Sequence, residues 1–305
     1  MPIIKLIVVS AQTAYNEAVT KKRAIILLVL FAAAVGLVFW LARQSAEPSY
    51  QGRSMRTWLH DLEKWNGTTN DPAFIAFREM GTNAIPGLLE ILKSGGSAWQ
   101  KMISKFNRQQ SVVQLPLGTS WRRTLAASWA LYAMGHNAKP ALLALTNLLF
   151  SSNALVTSST ALAGIGSDAV PSLLAALTNQ NYRIRFSAAS GLGWERAELN
   201  VIVPALVARL QDSNRNVRIE AALSLGQLHT QPEFVVPALM KDFPGTDSLF
   251  RVTVLNSLGN FETNAKAAVP LVVGALKDND ASVRQCASNA LEQIDPDAAA
   301  KASAK

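Results

Sequence analysis

Along much of this chain, short stretches with apolar residues at every third or fourth position alternate with polar turns. In Asn216–Leu228, Val217, Ala221, Leu225 and Leu228 fall on one stripe, the spacing of an amphipathic helix. A polar turn containing Pro232 follows. A second helix is predicted from near Phe234 through Met240, with Pro237 in its first turn, where a missing N–H has no intrahelical partner to lose. The pair recurs. NYRIRFSAASGLGW with VIVPALVARL stands 33 residues earlier, and DSLFRVTVLNSLGNF with AAVPLVVGALKD 33 residues later. The second-helix prolines fall at 86, 140, 171, 204, 237 and 270, in steps of 54, 31, 33, 33 and 33. A period of this size, carried by helix pairs, predicts a stacked array in which each hairpin buries its stripe against its neighbours.

Six repeats follow from this phase, the first three at about 71–93, 120–150 and 152–178. These three share an inter-helix turn: Gly81, Gly135 and Gly166 end the first helix, where a left-handed residue is needed, and a proline five residues later starts the second. Repeats four to six use a turn three residues longer. Asp280–Ile294 then reads as a first helix without a second, and 296–305 as a disordered tail. Upstream, 54–66 carries the stripe Met55, Trp58, Leu59 and Leu62 behind a candidate N-cap, Ser54. It is expected to cap the open face of repeat one. The fold class is all-α, a solenoid of helical hairpins over 71–295 with an insertion at 94–119.

The N-terminal region has a different pattern. Ala24–Ala42, AIILLVLFAAAVGLVFWLA, holds nineteen residues without a charge and lacks the polar face of a soluble core helix. At ~1.5 Å per residue it approaches the ~30 Å hydrocarbon layer, so 24–42 is read as a single transmembrane helix. Lys21, Lys22 and Arg23 precede it, Arg43 follows, and Trp40 sits at the far interface. The positive-inside tendency puts 1–23 in the cytoplasm and the array outside, with a linker at 43–53. The expected location is the plasma (inner) membrane, with secretion after signal cleavage as the alternative. Residues 1–23 read equally as a surface helix or a disordered tail. The formal charge is +8, but half of the excess lies in residues 1–43, so the array itself is only mildly basic.

The repeats resemble the HEAT-repeat family. The resemblance is carried by the pattern D/N-x-x-V/I-R-x-x-A-A-x-x-L-G followed by V-P-A-L. Its fullest copies are Asn214–Gly226 with Val236–Leu239 and Asn181–Gly193 with Val203–Leu206. The short, alanine-rich form is similar to bacterial HEAT-like repeats, a type that includes those of phycobilin lyases. The resemblance implies a right-handed superhelix whose concave face is lined by second helices and binds another macromolecule. Repeat one departs from the pattern, lacking the V-R signature.

Candidate chemistry is sparse. Arg185, Arg218, Arg251 and Arg284 stand 33 residues apart, each four residues after Asn181, Asn214, Asp247 or Asp280. One reading is a basic groove. The other is a structural ladder, with each arginine bonding turn carbonyls and each Asp/Asn capping a helix. The acid or amide moves in step with the arginine, which favours structure. His60, His136 and His229 have no second ligand at i+3 or i+4, so no metal site is expected. The lone Cys286 excludes an internal disulfide and reads as a buried small residue. In the insertion, Ala98–Gln109 is a possible short helix with Trp99 and Phe106 on one side and Lys101, Lys105 and Arg108 on another. These are candidate partner contacts, unless the helix folds back on its own repeats. The expectation is a membrane-anchored, non-catalytic scaffold without a cofactor, binding a protein or extended peptide on the second-helix face. A phycobilin-lyase-like enzyme and a nucleic-acid-binding solenoid are the rivals.

Overall fold

The computed structural model describes residues 47–64, 71–94, 121–151, 155–241, 243 and 247–303. The chain divides into a unit Met1–Glu47 and a unit Pro48–Lys305, and the second is considered below. The expected membrane helix at 24–42 lies outside the described residues, and none of the described helices is long and apolar enough to cross a membrane. The insertion residues Trp99, Lys101, Lys105, Phe106 and Arg108 also lie outside them.

Helices dominate the described residues. After a small hairpin and a leading helix α1 (Met55–Leu62), they alternate between two sets. The first helices are α2 (Pro72–Met80), α4 (Trp121–Met134), α6 (Leu155–Ile165), α8 (Tyr182–Trp194), α10 (Arg215–Leu228), α12 (Ser248–Asn260) and α14 (Ala281–Ile294). The second helices are α3 (Ile85–Ser94), α5 (Leu142–Phe150), α7 (Val170–Leu177), α9 (Leu199–Arg209), α11 (Pro232–Lys241) and α13 (Val269–Ala275). From α6 onward each first helix packs along the preceding first helix and onto the preceding second helix. The second helices neighbour one another in chain order. This is the hairpin array that the 33-residue period predicts.

The core follows the stripes. Leu192, Leu225, Leu258 and Leu291, at one phase of four successive first helices, are all at most 1 % exposed. Ala188, Ala221 and Ala287 are fully buried and let neighbouring helices approach. Each buried leucine contributes about 1.5–3 kcal/mol by leaving water. The three glycines ending α2, α4 and α6 adopt the predicted positive φ, +56° at Gly81, +60° at Gly135 and +87° at Gly166. The longer turns of repeats four to six place non-glycine residues there instead: Glu198, His229, Gln231 and Glu262.

Three features differ from expectation. Within the 43–53 linker, Ser49–Tyr50 pairs with Arg53–Ser54 as an antiparallel hairpin (β1 and β2) around Gln51 and Gly52, both at positive φ. Trp58 Nε1 donates to Tyr50 O at 3.2 Å, and the Arg53 guanidinium stacks 3.9 Å above the Trp58 ring while pairing with Asp61. Polarity suggested a linker because these contacts come from a helix that follows. Ser54 holds the N-cap position of α1 but its hydroxyl makes no cap bond; Met55 N donates to Pro48 O at 2.7 Å instead. The tail expected to be disordered forms α15 (Pro296–Ser303). Asp295 accepts from Ala298 N at 3.0 Å, Pro296 opens the first turn, and Ala298, Ala299 and Ala302 pack on the core. Alanine-rich sequence that is too small to show a stripe still has high helix propensity. The leading stripe of α1 is fully buried, and α1 packs on both α2 and α4.

Candidate functional site

The arginine ladder sits where second helices hand over to first helices. Arg185, in the first turn of α8, donates through Nη1 to Asn179 O (2.8 Å) and Gln180 O (2.9 Å). Its Nε and Nη2 grip Asp212 in a bidentate pair at 2.8 and 2.7 Å. Asp212 follows α9, 27 residues on, and its side chain is 3 % exposed. The same carboxylate accepts from Asn214 N at 2.9 Å, so one aspartate ties two consecutive turns together. Arg251 repeats the pairing with Asp278, whose Oδ1 accepts from Asp280 N. Among the described residues Arg218 shows the carbonyl bonds alone: Nη1 donates to Asp212 O and Ser213 O. Arg284 likewise bonds Asp278 O and Asn279 O. Among the described residues, Arg185 and Arg251 are thus full rungs and Arg218 and Arg284 half rungs.

The paired residues cap as well. Asn181, Asn214 and Asp280 accept from the backbone N–H two residues on, and Asp247 from that of Phe250. Burial acts to raise the Asp212 carboxyl, but hydrogen bonds from Arg185 and Asn214 N, with the charges of Arg185 and Arg209, outweigh it and hold the pKa below the ordinary value. Asp278 is lowered by the Asp280 N–H and by Arg251. All four guanidinium groups thus direct donors at their own turn carbonyls or at a neighbouring aspartate, not at a groove.

A second ladder joins the first helices. Ser224 Oγ donates to Ala189 O at 2.9 Å and Ser257 Oγ to Ala222 O at 2.8 Å, each reaching back to the preceding repeat. Both serines press against a glycine there: a Cβ on Gly193 would sit 2.7 Å from Ser224 Oγ, and one on Gly226 would sit 2.6 Å from Ser257 Oγ. The glycine of the L-G signature is required for close approach here, while its φ stays helical.

Residues 202–231 match the HEAT repeat family. That stretch runs from α9 through Asp212, Asn214 and Arg218 to the turn after α10, so it includes a capping asparagine, a ladder arginine and the close-approach Gly226. That stretch therefore carries a HEAT-like repeat. Two crystal structures described as engineered proteins are also similar. One is 21% identical, covering 85% of this chain and 80% of that one, with a TM-score of 0.39. The other is 22% identical, covering 78% and 96%, with a TM-score of 0.37. Likeness at that level carries nothing further about this chain. No curated protein matches it.

The second helices present something the sequence pattern did not single out. Three residues after every second-helix proline stands a large apolar side chain: Leu89, Leu143, Leu174, Val207, Met240 and Val273. The core is already filled from other phases, by Leu88, Leu173, Leu206, Leu239 and Val272 at the preceding position. The row instead lies half-buried or in solvent, with Leu143 74 % exposed and Val273 38 %. The six prolines are themselves exposed beside it. Helices α5, α7 and α13 contain no charged residue, and α9 carries only its terminal Arg209. The signal was available in the alignment of repeats, but a leucine next to a core leucine reads as more core.

Among the described residues no cluster of His, Cys, Asp and Glu could hold a metal ion. His136 lies 3.3 Å and Lys139 2.9 Å from Asp168, joining the turns of repeats two and three, and His60 faces Glu63. Cys286 is half-buried against the core.

Proposed function

We propose that this chain is a membrane-anchored, non-catalytic HEAT-like scaffold that holds a protein or extended peptide against the outer face of its second helices. The observation that carries the reading is the apolar row Leu89–Leu143–Leu174–Val207–Met240–Val273, which recurs with the repeat although packing does not require its exposure. Leu143 and Val273 are exposed and the other four are half-buried against the core, on helices of which three carry no charge, and apolar side chains left partly in solvent have the composition of an interaction surface. The anchor is Ala24–Ala42, with the N-terminus cytoplasmic and the array beyond the plasma (inner) membrane; its support is the uncharged run and the basic triplet before it.

The test is site-specific photo-crosslinking in membranes. A crosslinker at Leu143 or Val273 is expected to give a discrete adduct, whereas one at Asn256, on the exposed side of first helix α12, gives none. Equal adducts at all three positions, or none at Leu143 and Val273, would sink the reading. Topology is tested separately by a reporter fused after Lys305, expected to be active only outside the cytoplasm.

A further inference from the structure

A second, chemically opposite surface lies at the other end of the C-terminal repeats. The turns after α10 and α12, together with the end of α14, enclose an open cleft of about 420 Å³, within the size range of small-molecule sites. Its polar lining is Gln227, His229, Asn260, Glu262, Asn264 and Gln293. Three of these are a ladder of their own: Gln227, Asn260 and Gln293 stand 33 residues apart, each two residues after the buried leucine at 225, 258 or 291. Asn260 Nδ2 donates to Gly226 O at 3.3 Å. The side-chain amides of Gln227, Gln293 and Asn264 make no hydrogen bond among the described residues, and each brings two donors and an acceptor. His229 Nδ1 lies 3.0 Å from Gln227 O; because a carbonyl only accepts, Nδ1 is the donor in this contact, and in the neutral ring Nε2 is then the acceptor. His229 and Glu262 are held at φ +34° and +51°, a left-handed region that histidine enters more readily than glutamate.

The lining selects by what it contains. It has no lysine or arginine to hold a phosphate, sulfate or carboxylate. Its one large apolar side chain, Phe261, is 2 % exposed and offers no wall to a lipid or aromatic ligand. With no apolar subsite and no positive charge, the cleft suits neither an apolar nor an acidic peptide. Unpaired amides, one carboxylate and one imidazole acceptor are complementary to a neutral ligand bearing many hydroxyls, with the carboxylate accepting from a vicinal pair. We infer that the cleft of repeats five and six binds a short neutral saccharide. The site is independent of the second-helix face.

The experiment uses the full chain in a detergent without a sugar head group. Maltotriose, chitotriose and an uncharged Gly-Ser-Asn peptide are offered separately at millimolar concentration, and binding is read by saturation-transfer NMR. At least one trisaccharide is expected to bind. The Gln227→Ala/Gln293→Ala double variant should weaken that binding by roughly tenfold or more, through loss of several hydrogen bonds. Melting should be unchanged, and Leu143→Ser should bind saccharide like the parent, which separates this site from the second-helix face. If the double variant fails to fold, Asn264→Ser, on an exposed turn, must show the weakening instead. Binding of neither trisaccharide, binding of the peptide in their place, or full binding by a folded variant overturns the inference.

Discussion

The two sides of each hairpin use the same 33-residue period for opposite purposes. On the first-helix side the recurring residues are polar, and the protein itself consumes them: Arg185 and Arg251 grip Asp212 and Asp278, Ser224 and Ser257 bond the preceding helix, and Asn or Asp caps each start. On the second-helix side the recurring residues are apolar, and Leu143 stands 74 % and Val273 38 % in solvent. In a repeat protein, a charged ladder is therefore weak evidence of a binding groove. A hydrophobic position that repeats without being buried is the better pointer, because packing gives no reason to retain it.

The comparison breaks first if the first-helix side is not the structural side. Leu225 is 0 % exposed in the stack of α8, α10 and α12. Leu225→Asp adds an unpaired charge to a lost leucine contact, and is expected to destabilise by about 4 kcal/mol or more, abolishing cooperative melting. A variant that melts like the parent would refute the assigned register of the array.

The Arg185–Asp212 rung comes next. Its side chains are 11 % and 3 % exposed, so Asp212→Ala leaves a guanidinium nearly buried and uncompensated, at an expected cost of about 3 kcal/mol. Arg218→Ala removes, among the described residues, bonds to carbonyls alone and should cost about 1 kcal/mol. The pH dependence has a definite sign. Because the folded-state pKa of Asp212 is depressed, its contribution is complete above the unfolded value of about 4 and is lost as pH falls through the folded value. Denaturant melts should show an acid limb in the parent that is flatter in Asp212→Ala. Equal costs for the two arginine partners, or parallel acid limbs, would show that full and half rungs are equivalent.

The repeat period, the glycine turns and the ladder positions were legible because each is a local rule repeated in phase. What was not legible depended on neighbours distant in sequence. The hairpin at Ser49–Ser54 needs Trp58 and Asp61, and α15 needs the end of α14 to pack on. The carboxylate partners of Arg185 and Arg251 lie 27 residues ahead, in turns that the four-residue Asn/Asp-to-Arg spacing does not reach. Among the site residues, the alignment held the apolar row but did not distinguish it from core. That distinction is a matter of exposure, and Leu142 and Leu143 are identical in composition while only the second stands in solvent.

The glycines sharpen the comparison at a smaller scale. Gly226→Ala puts a methyl 2.6 Å from Ser257 Oγ and 2.8 Å from its Cα, so two first helices must separate; about 2 kcal/mol is expected. Gly81→Ala meets nothing within 4 Å and pays only for its backbone at φ +56°, ψ −147°, a region nearly closed to L-residues, about 1–3 kcal/mol. The discriminating measurement is a double-mutant cycle with Ser257→Gly, which removes the Oγ and Cβ contacts but leaves Cα, and should recover part of the Gly226→Ala loss as a favourable coupling. Recovery should be absent when Ser257→Gly is combined with Gly81→Ala. Equal behaviour of the two glycines would mean that close approach is not what the L-G position supplies.

The smallest stability effect is expected where the functional effect is largest. Leu143→Ser and Val273→Ser replace apolar side chains that solvent already reaches, so each should shift stability by no more than about 0.5 kcal/mol. If the row were merely displaced core, the same changes would behave like the buried leucines and cost several times as much. Thermal melts of the two variants beside Leu173→Ser, whose side chain is fully buried one helix away from Leu143, decide between these outcomes. Near-parental melting of the first two, with loss of crosslinked partner, leaves binding as the reason the row recurs. A large melting shift at Leu143 would return the row to the core and remove the proposed face.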